Sequence, residues 1–231
     1  MIILKLIFFQ VTFWFRPIYL FLRKELHQEF KRPAAFLGVL LYLVCVTFIV
    51  SLSTKGNINP SVWSALFWIL MMFVSFNVFN KNLSSDEQHK WYYYYQLVHP
   101  IQFILARIFF HAILLWILGL INFFLLSLWI KNPIISLEAF LLNIFLGGLG
   151  FASSLTLISS IAVHANHPAL LMSVLGFPLI IPLLWALIKV SLLCIQGLTI
   201  SELSKYWFFL FCINTISLLL SAIFFPLIWK E

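Results

Sequence analysis

Six long stretches of this chain hold almost nothing that water would solvate. They run from Ala34 to Leu52, Val62 to Phe79, Ile101 to Ile130, Leu137 to Val163, Ala169 to Leu193 and Tyr206 to Trp229. A helix needs about 20 predominantly apolar residues to cross the hydrocarbon of a bilayer. Backbone amides there must bond internally, so only helices and closed barrels can span. Barrel strands would alternate apolar and polar residues over segments of about 10. The run from Ile113 to Ile121, broken only by Gly119, does not alternate. Charge supports the same reading, since only 9% of the 231 residues are Asp, Glu, Lys or Arg. A soluble domain carries about 25% and needs them to cover its surface. The expected fold is therefore all-α and integral to the membrane, with six transmembrane helices over 34–231.

Basic residues set the expected orientation. With the amino terminus inside, the cytoplasmic side holds Lys5, Arg16, Arg23, Lys24, Lys31, Arg32, Lys81, Lys90 and Lys230. The outer loops hold Lys55, Lys131 and Lys205, a division of nine against three that satisfies the positive-inside rule. Both termini are then cytoplasmic. The formal net charge of +7 reads as attraction to anionic lipid and not as a nucleic-acid footprint. The segment 1–33 is expected to be a basic, amphipathic cytoplasmic entry. Lys5 and the apolar stretch Leu6 to Phe15 are followed by Arg16-Pro17 and not by a small-residue cleavage site. The segment is read as a retained interfacial helix, its cations snorkelling to headgroups. Cys45, Cys194 and Cys212 lie far apart in or beside apolar runs, without C-x-x-C spacing, and read as small apolar filler.

No G-x-x-x-x-G-K-[ST] occurs, so any ATP used must be bound by another subunit. No H-E-x-x-H occurs. Gly150-Phe151-Ala152-Ser153-Ser154 faintly echoes a nucleophile elbow, but it lies inside an apolar run without the strand–turn–helix context such a serine needs. Close helix packing explains those small residues better. No catalytic residue and no metal site is expected. His164 and His167 flank the turn before the fifth run without a carboxylate or cysteine to complete a ligand set.

The longest polar interval is 80–100. Ser84 or Ser85 followed by Asp86-Glu87 can start a short helix, and Trp91 with Tyr92 to Tyr95 forms an interfacial aromatic run. Such a segment could dock a partner protein or simply be a solvated loop beside an aromatic belt. Pro178 and Pro182, four apart in the fifth run, each remove a backbone donor. They mark either a helix break that flexes or a static kink. Arg107 and His111 stand one helical turn apart near the inner end of the third run. An ionisable side chain within a membrane is a functional candidate by default, although Arg107 is close enough to that end to reach headgroups. Lys189 is expected to snorkel outward.

Several of these segments, taken in order, resemble the CcmB family, the membrane subunit of the cytochrome c maturation ABC transporter, also called haem exporter protein B. They are Lys24-Glu25-Leu26, Trp63 to Ile69, Tyr92-Tyr93-Tyr94 through Leu97, His99 and Pro100, Leu146 to Phe151, and Phe177 to Pro182. Where many relatives carry a glycine, this chain has Glu87-Gln88-His89-Lys90.

The resemblance implies an ABC-2-like permease in the bacterial inner membrane. It implies a CcmA-type ATPase partner, CcmC-type and CcmD-type membrane subunits, and the haem chaperone CcmE. ATP would be bound by the ATPase, with no cofactor on this chain. Haem would be the cargo, or the loaded chaperone would be released. Ser84, Ser85, Asp86, Glu87, His89, Lys90, Trp91, Tyr92 and Tyr93 would form the ATPase-coupling segment. The permease would pair as a homodimer. An ABC-2-type exporter of a lipid or other hydrophobic substrate is the alternative.

Overall fold

The computed structural model describes residues 18–25, 27, 34–81, 99–162, 167–198 and 200–228. Six helices follow one another: α1 Ala34–Thr54, α2 Pro60–Lys81, α3 Pro100–Trp129, α4 Leu137–Ala162, α5 Pro168–Ile195 and α6 Ile200–Ile228. All six are long and apolar enough to cross a membrane. Proline at the first turn opens α3 and α5, where its missing N–H costs no hydrogen bond and its fixed φ suits the helix. Hydroxyls inside the helices bond back to their own backbone. Thr47 donates to the Leu43 carbonyl at 2.7 Å and Thr156 to the Ala152 carbonyl at 2.6 Å. Those groups therefore enter lipid already satisfied.

One boundary differs from expectation. Residues 200–205 read as the end of a loop, yet they form the first turns of α6. Glu202 lies in that first turn, where a carboxylate stabilises the positive end of the helix dipole.

The helices run alternately up and down, and the links after α1, α3 and α5 share one end, here called distal. Lys131 N–H donates to the Gly56 carbonyl at 3.3 Å, tying the first link to the second. Ser136 N–H donates to the Cys194 carbonyl at 3.1 Å, and its hydroxyl to the Leu198 carbonyl at 3.3 Å, tying the second to the third. Gly56 and Gly197 turn the chain there at φ 72° and 74°, a left-handed conformation that suits glycine at a helix end. The opposite, proximal end holds the amino-terminal helical residues 18–25. They are anchored by Phe21 edge-on to Phe103 at 5.1 Å, and Phe103 stacks on Phe225 at 5.8 Å.

Burial is uneven. The apolar window of α4 is 72% buried and that of α1 only 11%. Helix α4 is the hub, packed against α2, α3, α5 and α6, while α1 touches α2 and α3 at the edge. Lipid is as apolar as the helices, so close fit and hydrogen bonds, not hydrophobicity, must hold the hub to its neighbours. The Gly-Gly-Leu-Gly run supplies the fit. A Cβ on Gly147 would lie 2.6 Å from the Trp68 ring of α2, and one on Gly148 would lie 2.4 Å from the Trp116 ring of α3. One on Gly150 would meet Asn214 of α6 at 2.6 Å and Leu183 of α5 at 2.8 Å. Three glycines thus admit four different helices.

Candidate functional site

Two polar groupings lie within the bundle. The first crosses its distal half. Trp68 Nε1 donates to Ser191 Oγ at 2.8 Å. Asn143 Nδ2 donates to the same oxygen and to the Leu187 carbonyl, both at 3.0 Å. Ser191 passes its own proton to the Leu187 carbonyl at 2.9 Å. One knot therefore joins α2, α4 and α5. Asn122 Nδ2 reaches the Phe67 carbonyl at 3.2 Å, linking α3 to α2. Asn214 Nδ2 reaches the Leu146 carbonyl at 3.1 Å, and Ser154 meets Ser217 at 3.2 Å, linking α6 to α4. The Oδ1 atoms of all three asparagines are buried without a partner.

Apart from Ser154, which falls in the faint echo of a nucleophile elbow, none of these residues stood out in the chain as functional candidates. The available signal was a lone asparagine inside each of three apolar runs, which polar helix-to-helix bonding would explain. Asn143→Leu removes two donated bonds and is expected to lower stability by about 1 kcal/mol. Asn122→Leu removes one and should cost less. Thermal unfolding of the detergent-solubilised chain measures both.

The second grouping lies toward the proximal end and is built around Arg107. Arg107 and His111 are one turn apart on α3 and nearly fully buried, at 6% and 1% exposure. Of the two readings open for Arg107, a side chain reaching to headgroups or one turned inward, the burial fits the second: its side chain is enclosed by the bundle. The backbone carbonyl of Arg107 can only accept, so His111 Nδ1–H donates to it at 2.8 Å, which fixes the imidazole tautomer. Phe79, at the end of α2, stacks on the His111 ring at 4.1 Å, and Phe110 meets it edge-on at 5.3 Å. This contact joins the two helices that bracket 82–98. A cation held inside a bundle has lost most of its hydration, so its position carries a free-energy cost that packing alone does not explain.

Helix α5 runs without interruption through Pro178 and Pro182. Both prolines are exposed, and the carbonyls of Val174 and Pro178 lose their usual i+4 donors. Lys189 is exposed near the distal end, as a snorkelling side chain would be. Ser153 donates to the Gly150 carbonyl at 3.2 Å within α4, and the close approach of Asn214 and Leu183 to Gly150 is the packing role expected for that stretch. His167 precedes α5 without a side-chain cap bond. Ser84, Ser85, Asp86, Glu87, His89, Lys90, Trp91, Tyr92, Tyr93 and His164 lie outside the described residues.

A comparison with family models finds a match over residues 16–227 to the family described as CcmB protein. No curated protein and no solved structure matches the chain.

Proposed function

This chain belongs to the CcmB family, and from that premise we propose how a permease subunit of the cytochrome c maturation ABC transporter works. The observation that carries the proposal is the family match, which spans all six membrane helices. With no P-loop of its own, the chain is the passive partner of a CcmA-type ATPase. The ATPase docks on 80–100 from the cytoplasmic side of the bacterial inner membrane, where both termini also lie. CcmC-type and CcmD-type subunits complete the membrane complex. ATP hydrolysis is coupled to haem export or to release of the haem-loaded chaperone CcmE.

The route of the push follows from the fold. In sequence the docking segment connects the end of α2 to the start of α3, and the Phe79–His111 stack ties the end of α2 to α3 about three turns along it. A displacement of the segment is therefore delivered to two helices at once, both packed against α4. Helix α5, with two backbone donors missing, is the element that gives way.

Affinity purification of the full chain in mild detergent, followed by mass spectrometry, tests the assignment. A P-loop ATPase and CcmC-like subunits are expected to co-purify. Deleting Ser84 to Tyr95 is expected to abolish ATPase association while leaving the membrane-inserted chain intact. Undiminished association after the deletion would remove the docking assignment. A different set of co-purifying subunits would remove the maturation role.

A further inference from the structure

The amino-terminal helical residues form a recess of about 440 Å³ lined by Leu20, Arg23, Lys24 and His27. It is independent of the polar groupings inside the bundle. Its place is fixed by the Phe21–Phe103 contact, which holds it at the proximal end, where α3 begins and α6 ends. Lys24 is held in shape twice, by its ion pair with Glu25 at 3.1 Å and by its ammonium 5.3 Å from the Phe21 ring centre. Arg23 and His27 are exposed, and among the described residues Arg23 has no carboxylate partner. On the apolar side, Tyr19 and Leu20 are 63% and 54% exposed.

One small site thus presents cations with apolar side chains beside them, at the proximal end of the bundle. We propose that this recess binds the phosphate of an anionic phospholipid headgroup, with Arg23 and Lys24 on the phosphate, His27 at the rim and Leu20 against the glycerol. A guanidinium grips phosphate oxygens through paired N–H donors, and basic residues at an anionic leaflet add to the attraction. A flat macrocycle with carboxylates is a poorer fit, because among the described residues of the lining only Leu20 is apolar and a macrocycle needs apolar walls on both faces.

The full chain, purified in mild detergent and stripped of lipid, is titrated with phosphatidylglycerol or phosphatidylcholine and weighed by native mass spectrometry. The wild type is expected to retain phosphatidylglycerol in preference to phosphatidylcholine. The double variant R23Q/K24Q should lose about thirtyfold in phosphatidylglycerol affinity, the scale set by two basic groups at one headgroup. R23Q alone, at an exposed position, should lose severalfold. K131Q and K189Q, which lie distally, should match the wild type.

The proposal is overturned if R23Q and the double variant bind phosphatidylglycerol as the wild type does. It is equally overturned if the distal variants lose as much. Displacement of the lipid by inorganic phosphate at equal concentration would make a soluble anion the ligand. Haemin binding that depended on Arg23 and Lys24, and competed with the lipid, would make the site a cargo site instead.

Discussion

Replacing Gly147 with leucine is expected to lower the stability of the detergent-solubilised chain by about 3 kcal/mol or more, enough to cut folded yield sharply. Even the Cβ of alanine would stand 2.6 Å from two ring carbons of Trp68 and 3.1 Å from Leu187. Trp68 cannot step aside, because it is fully buried, lies against Phe67 at 5.0 Å and donates to Ser191. Gly147→Ala should therefore cost about 1 to 3 kcal/mol by the same mechanism. The clashing atoms belong to the outer ring of the indole, so Trp68→Phe should make room. Ser191 stays satisfied in that variant through Asn143 and Leu187. The pair G147A/W68F is expected to be more stable than the sum of the two single changes, which a double-mutant cycle on thermal unfolding would read directly. Additive costs would mean that the glycine is not there for the tryptophan.

Arg107→Leu is expected to reduce cytochrome c maturation about 5- to 150-fold, the range of a typical coupling free energy, with the chain still inserted and folded. Two observations support this. The side chain is enclosed inside the bundle, a place where a charge is kept at a cost. The residue also stands one turn before His111, whose ring stacks on Phe79 at the far side of the proposed docking segment; the variant keeps the backbone carbonyl that accepts from His111, so the effect read is that of the side chain alone. Arg107→Lys keeps the charge and should retain more output than the leucine variant, while losing any fork-shaped bonding. Holocytochrome levels, read beside thermal unfolding of the same variants, separate function from folding. If output fell only in step with stability, Arg107 would be a structural residue.

The membrane class and all six helices were legible from apolar run length alone, because hydrocarbon leaves the backbone so few options. Helix ends were legible to within a few residues wherever a proline or a polar link stopped the run, as at Pro60, Pro100 and Pro168. The exception was the start of α6, where Glu202 and Lys205 looked like loop residues, yet a carboxylate in a first turn is favourable. The burial of Arg107 was not legible. A cation two turns from a helix end can either reach headgroups or turn inward, and only the arrangement of neighbouring helices decides between them. The asparagine and serine knot escaped notice for a related reason. Asn122, Asn143 and Asn214 sit in separate runs, and nothing local says that each will meet a carbonyl of another helix. The glycines of α4 were visible as packing residues, but not which tryptophan each would receive.

The central position of α4 has a consequence for biogenesis. Spans emerge from the ribosome in order, and the piece against which most of the others close arrives fourth. Until then α1, α2 and α3 have only their limited contacts with one another, and the rings of Trp68 and Trp116 lack the glycine face that receives them. The early chain must wait in the bilayer half assembled, exposed to insertion chaperones and to membrane proteases. A ribosome stalled after Trp129 should therefore leave a far more degradable product than one stalled after Ala162.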